Sequence, residues 1–123
     1  HEMPAVITTA SVLVKAAAMM SCPVVVTEQY PKAFKHTVAE LATVCALDES
    51  EATDGAAAGG AGGEDGAAAG ADVAKFEKKL FSMLTPAVLS HIEAKSITSV
   101  VLVGIETHIC VLQTCLDLLA RGY

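Results

Sequence analysis

The 123-residue chain has no tryptophan, and its aromatic content is only 4%. With 53% hydrophobic residues, any core must be aliphatic, built from Val, Leu, Ile and Ala. Basic residues are also few: eight Lys and Arg against fourteen Asp and Glu, for a formal net charge of −6. There is no basic patch or stripe, which speaks against nucleic acid as a partner. The four cysteines, Cys22, Cys45, Cys110 and Cys115, form no C-x-x-C pair, and a disulfide-stapled miniprotein is excluded. No long apolar run is unbroken. The most charge-poor stretch, residues 5–26, holds Lys15, which costs about 2.5–3.5 kcal/mol at a bilayer centre, and Pro23 divides it. A membrane span is therefore not expected. The chain opens His1-Glu2 without a basic region or an initiator Met. No export signal is read, and reduced thiols in an intracellular, cytoplasmic setting are expected. The missing Met makes a piece of a longer chain the expectation.

What is present fits one domain over residues 1–123, large enough to bury roughly two-thirds of its unfolded surface. The negative charge is local: Asp48, Glu49, Glu51, Asp54, Glu64, Asp65 and Asp72 fall in residues 48–72, which hold no Lys or Arg. Residues 55–72 also carry seven of the nine glycines and eight alanines. Such a segment buries too little to offset its ordering entropy, so residues 48–72 are predicted to be an acidic, Gly/Ala-rich disordered insertion. A phosphate loop is excluded there, because neither G-x-x-x-x-G-K-[ST] nor G-x-G-x-x-G occurs and the flanking acids repel phosphate.

Hydrophobic spacing predicts a helix over residues 5–20, with Val6, Ala10, Leu13, Ala17 and Met20 as its apolar face. Val24, Val25 and Val26 read as a strand buried on both faces, followed by a polar loop over residues 27–32. A short helix is predicted over residues 37–46. Residues 73–83 read as a strand running into a turn. Thr85-Pro86 then gives a capping hydroxyl and a first-turn proline. Residues 100–105 form the strongest strand pattern, and a helix follows from Cys110 to Ala120, with Asp117 and Arg121 spaced as an ion pair and Gly122 placed as a C-terminal cap. This order predicts an α/β fold with a parallel sheet.

In such sheets, ligands bind beyond the carboxyl ends of the strands. Residues 27–32, 78–83 and 106–110 reach that edge. Cys110 would sit at a helix start, where free N–H groups and the helix dipole favour a thiolate and could hold an oxyanion. A buried cysteine acting as a small hydrophobe is the alternative. Cys115 lies about 140° further round the helix, and Cys22, Cys45 and Cys115 read as core or inert. His108 could act as a base for Cys110, although neighbours in a tight turn often point apart. Glu106 reads as capping, pocket-lining or catalytic. Lys78 and Lys79 read either as a solvated strand end or as a lysine able to favour the thiolate and shuttle a proton.

Residues 104–114, reading Gly-Ile-Glu-Thr-His-Ile-Cys-Val-Leu-Gln-Thr, with Asp117 to Tyr123 beyond them, closely resemble the nucleophile segment of isochorismatase-like cysteine hydrolases. Within these the chain looks most like the isochorismatase domain-containing proteins. Residues 26–32 resemble that subgroup's TEQYPK loop, and Phe76-Glu77-Lys78 with Phe81-Ser82-Met83 resembles its EK-x-x-FSM segment. Together the likeness covers residues 23–47 and 73–123.

The resemblance implies a three-layer Rossmann-like parallel sheet with helices on both faces, and an Asp-Lys-Cys triad. Cys110 matches the nucleophile and Lys78 the lysine. The backbone N–H groups of Glu106 and Cys110 would form the oxyanion hole, with a cis peptide between Ile105 and Glu106. Glu28, Tyr30, Phe81 and His108 are the candidates for the substrate pocket. Some relatives carry a metal on an Asp-x-His loop; here that loop reads Thr27-Glu28-Gln29, so neither metal nor cofactor is expected. The implied reaction is hydrolysis of a small amide or ester. The implied partners are a small-molecule substrate and, in a full-length form, a second copy of the chain. The triad aspartate of the family precedes the first helix, whereas no Asp occurs here before Asp48. Truncation at both ends and inactivity of this segment are therefore expected. The competing function is a non-catalytic interaction or assembly module.

Overall fold

The computed structural model describes residues 3–47, 58–59 and 72–123. The first helix, α1, spans Met3–Met19 and packs on α3, Ala39–Cys45. Its buried residue is Val14. At 100° per residue, Ala10 and Ala17 fall within 60° of Val14, whereas Leu13 and Met20 fall 100° or more away. Accordingly Leu13 is 39% and Met20 67% exposed, so the apolar stripe predicted from the sequence is rotated.

Strand β1, Val24–Gln29, runs parallel to β3, Val73–Lys78, in register from Val24 opposite Val73 to Gln29 opposite Lys78. A two-residue strand, β2 (Ala58–Gly59), pairs antiparallel with the other edge of β3, so the order is β1-β3-β2. The predicted disordered insertion lies outside the described residues, apart from Ala58–Gly59 and Asp72. The Asp72 carbonyl accepts from Val24 N at 2.8 Å, and its carboxylate pairs with Lys95. Two corrections fall on β1. Residues 27–29 belong to the strand and not to a loop, because Glu28 and Gln29 each find partners that satisfy their polar ends. Val24, Val25 and Val26 are partly exposed, as befits a strand paired on one side among the described residues.

Alternate strand residues face opposite sides. Val24, Val26 and Val73 join Val14, Val44 and Cys45 in a cluster under α1 and α3. Val25, Ala74 and Phe76 join Val88, Ile92 and Leu118 in a second cluster, under α4 (Pro86–Ala94) and α5 (Leu112–Leu119). Tyr30, at φ 36°, turns the chain out of β1 into a short helix α2, Pro31–Phe34. Thr85 caps α4 as its sequence predicts, its Oγ1 accepting from Val88 N at 3.3 Å.

The segment predicted as the strongest strand, residues 100–105, takes no regular secondary structure. Val101 is 84% and Ile105 56% exposed. An apolar β-branched run marks a segment suited to a sheet, but a strand forms only against a neighbour's N–H and C=O groups. Among the described residues no strand is hydrogen-bonded to it. All peptide bonds among the described residues are trans, so the expected cis bond before Glu106 is absent, and Glu106 instead adopts a left-handed φ of 58°. The helix after it starts earlier than predicted, as a π-helical turn over Thr107–Val111 that runs into α5. The expected Asp117–Arg121 pair is replaced by a hydrogen bond from Gln113 Nε2 to Asp117 Oδ1 at 3.0 Å.

Helices α1, α3, α4 and α5 end alike. Ser21, Ala46, Ser96 and Gly122 take φ values of 54°, 51°, 54° and 85°. The next N–H in each case reaches back five residues, from Cys22 to Ala17 O, Leu47 to Ala42 O, Ile97 to Ile92 O and Tyr123 to Leu118 O. These are Schellman closures, and Gly122 meets the sequence expectation of a glycine there. Among the described residues no helix is long and apolar enough to cross a membrane.

Candidate active site

The ends of β1 and β3 place Gln29 beside Lys78 as register partners. Lys78 is 6% exposed, and an ammonium that far from water must be hydrogen-bonded to persist. Its Nζ donates to Gln29 Oε1 at 2.5 Å, to Leu80 O at 3.0 Å and to Phe81 O at 3.1 Å. Three oxygens thus match the three N–H donors of a lysine. The fourth neighbour is Cys110 Sγ, 3.9 Å away. Gln29 Nε2 donates in turn to Lys79 O at 3.2 Å, fixing the amide between the two lysine positions. Lys79 itself is exposed, with its Nζ 5.4 Å from the centre of the Tyr30 ring.

Cys110 is half-buried and falls in the first turn of the helical run that starts at Thr107, where N–H groups lack intrahelical partners. Thr114 lies one turn further on and is 2% exposed. Its Oγ1 donates to Cys110 O at 2.6 Å and accepts from Met83 N at 2.9 Å. The bend after β3 is pinned again where Ser82 Oγ accepts from Leu84 N at 3.1 Å.

Glu28 points to the opposite face of β1. It is 5% exposed, and its carboxylate accepts from His36 Nδ1 at 2.8 Å, Thr37 N at 2.8 Å and Thr37 Oγ1 at 2.7 Å. Burial pushes its carboxyl up, but the hydrogen bonds from Thr37 and His36 and the charge of Lys75 outweigh that and hold it below the usual carboxylate range. Glu28 is thereby an anchor for residues 36–37, with both oxygens engaged. Tyr30 and Phe81 sit on the lysine through their backbones, Tyr30 N donating to Lys78 O at 2.8 Å, and the two residues are 40% and 62% exposed. His108 and Glu106 are exposed.

The other thiols differ. Cys45 is buried, and burial pushes its thiol up. Cys22 is exposed rather than part of a core, and Cys115 is half-buried. Among the described residues no three His, Cys, Asp or Glu side chains are grouped to hold a metal ion.

The sequence reading brings Lys78 and Cys110 to the same sheet edge, but it misses Gln29 and Thr114 as members of the site. Gln29 was hidden by ending the strand at its last valine; parallel pairing of residues 24–29 with 73–78 puts it opposite Lys78. Thr114 is one helical turn from Cys110, a spacing at which a hydroxyl reaches back to a carbonyl.

Strands β1 and β3 thus bring a buried lysine against a cysteine at a helix start, on the sheet of an α/β protein. The isochorismatase domain family matches residues 1–123, and the chain belongs to that family. It is 40% identical over 124 residues to the secreted isochorismatase effector Isc1 of Phytophthora sojae (strain P6497), covering 99% of this chain and 49% of that protein. It is 35% identical over 121 residues to isochorismatase domain-containing protein 2 of Xenopus laevis, covering 98% and 46%. A solved structure titled "Structure of MAR1 Ribonuclease from Caenorhabditis elegans" matches at a TM-score of 0.71 and 37% identity, covering 97% of this chain and 48% of that one. The chain thus spans about half the length of the curated relatives it matches.

Proposed function

We propose that the chain is the nucleophile-bearing part of a cysteine hydrolase acting on a small amide or ester. The observation that carries this is the 3.9 Å separation of Lys78 Nζ and Cys110 Sγ at one sheet edge. A cation at that distance can balance negative charge on the sulfur, and the thiolate is the reactive form. In the proposed reaction Sγ adds to the substrate carbonyl, and the carbonyl π pair moves onto oxygen. The N–H groups of Glu106 and Cys110 receive that oxyanion. Its collapse expels the alcohol or amine, which takes up a proton, and leaves an acyl-thioester that water hydrolyses. Tyr30, Phe81 and His108 would line the substrate pocket in this reading.

The proposal includes the three-layer sheet of the family and a carboxylate general base that residues 1–47 do not supply as Asp. Residues 1–123 by themselves are accordingly expected to be inactive, since loss of a positioned proton-transfer group costs about 10²–10⁴-fold. The intracellular setting expected from the cysteines stays part of this reading, beside a relative whose name calls it secreted. The solved relative's title makes RNA the substrate to test against; the acidic balance of this chain favours a small molecule.

The experiment compares the 123-residue chain with a version extended at both ends, on amide, ester and RNA substrates. Amide or ester turnover by the extended form, abolished by Cys110→Ser, is expected. Turnover that survives Cys110→Ser overturns the nucleophile. A folded extended form without turnover favours the interaction-module reading.

A further inference from the structure

We propose that Thr114 is a positioning residue that sets the approach of Lys78 to Cys110. The inference rests on the cysteine-hydrolase reading and names a further residue of that same site. Apart from the contact between Lys78 Nζ and Cys110 Sγ, the two side chains are carried by separate elements, Lys78 by β3 and Cys110 by the helical turn. Lys78 Nζ is fixed by Gln29 Oε1, Leu80 O and Phe81 O, two of them carbonyls of the bend after β3. Cys110 rides on the helical turn. Between the bend and that turn, Thr114 Oγ1 forms a two-sided bridge, accepting from Met83 N and donating to Cys110 O.

A helical threonine often bonds back to the carbonyl four residues earlier, and that alone has only local meaning. Here the same oxygen also takes an N–H from a segment 31 residues away, at a position 2% exposed. The hydroxyl has one proton and it goes to Cys110 O, which leaves the oxygen lone pairs for Met83 N. Both connections are therefore made by one atom, at a position closed to solvent. The path from ammonium to thiol is closed: Lys78 to Phe81 O, two residues along to Met83 N, through Thr114 to Cys110. Thr114→Val keeps the shape and removes both bonds. Thr114→Ser keeps both bonds and removes a methyl.

The test is a double-mutant cycle read as the iodoacetamide labelling rate of Cys110 at pH 7, located by mass spectrometry. Lys78 Nζ faces Cys110 Sγ at 3.9 Å, where it opposes the negative charge carried by the attacking sulfur. Lys78→Met should therefore slow labelling about tenfold or more. Thr114→Val should slow it about threefold to tenfold with Lys78 present and less than about twofold in the Lys78→Met background, because its effect runs through the lysine. Thr114→Ser should label within about twofold of the parent. Equal slowing in both backgrounds, or none in either, overturns the positioning role. A parent whose Cys110 labels no faster than in Lys78→Met overturns the cysteine-hydrolase reading first, and this inference with it. If Thr114→Val does not fold, amide exchange in the parent decides. A Met83 N–H protected relative to Lys79 and Leu80 supports the bridge, and one exchanging as fast as theirs removes it.

Discussion

Gln29 and Lys78 meet side chain to side chain because their backbones are register partners at the ends of two parallel strands. The amide is the one side-chain acceptor among the three oxygens around the ammonium, and so the one that substitution can remove. Gln29→Leu leaves a buried N–H without its partner. A loss of about 1–3 kcal/mol in urea unfolding is expected, with Gln29→Glu retaining most of the stability. Equal stability of Gln29→Leu and parent would show that the ammonium has moved to water.

Lys78 and Lys79 should behave differently although they are adjacent. Lys79 is exposed over the Tyr30 ring, and such exposed contacts contribute about 0.5–1 kcal/mol. Lys79→Met should leave Cys110 labelling within about twofold, while Lys78→Met slows it about tenfold or more. Peptide mapping after brief alkylation separates the two, and the reverse ranking would move the lysine role to Lys79.

Two groups make stability rise with pH. The Glu28 carboxyl is held below its ordinary value of 4.5, so its contribution is present above that pH and lost as pH falls through the folded value. The His91 imidazole is pushed below 6.5 by burial and by the charge of Lys95, with Asp72 opposing. Its Nε2 is buried without a hydrogen-bond partner, and its ring meets Phe76 edge-on at 5.6 Å. The unfolded state binds that proton more readily, so stability falls as pH drops from about 6.5 towards the folded value. Unfolding midpoints from pH 4 to 8 should decline toward acid, and His91→Phe should flatten the upper part of that decline. An unchanged slope in His91→Phe would remove His91 from the acid response.

Glu28→Gln isolates the anchor from the histidine. At pH 7 a cost of about 1–3 kcal/mol is expected from weakened bonds to His36 and Thr37. As pH falls through the folded value and the parent's carboxyl takes up a proton, the two proteins should converge. A constant difference across pH would mean that shape and not charge fixes residues 36–37.

The exposed apolar segment at residues 100–105 should drive association, since unpaired β-branched backbone invites edge pairing. Size-exclusion profiles of residues 1–123 should shift with concentration, and Val101→Lys should suppress the shift. A monodisperse parent over a hundredfold range of concentration would contradict this.

That segment also shows where sequence reasoning stops. The apolar run of residues 100–105 is plain in the sequence, but strand formation depends on a neighbour that local pattern cannot supply. The Thr85 cap and the Gly122 closure were legible because both are set within a few residues. The family likeness placed Lys78 and Cys110 near one edge through two short motifs. The sequence sets Glu28 on the loop beside the expected pocket, whereas its hydrogen-bond partners, eight and nine residues further on, are brought to it only once the chain turns at Tyr30. Gln29 and Thr114 act across 49 and 31 residues, and their roles emerge only once β1, β3 and α5 are packed.

Three of the four Schellman closures use Ser21, Ala46 and Ser96 where glycine is the low-strain residue. A side chain in that conformation costs roughly 1–2 kcal/mol, partly offset because glycine loses more freedom on folding. All three positions lie at helix ends, outside the Lys78–Cys110 pair and its bridges. The fold therefore keeps a reserve of stability at points that the chemistry does not touch. A lineage could absorb a destabilising change around Cys110, such as one that retunes the substrate, by a single exchange to glycine at a helix end. The capacity of this scaffold to vary its site is in that sense stored at its helix termini.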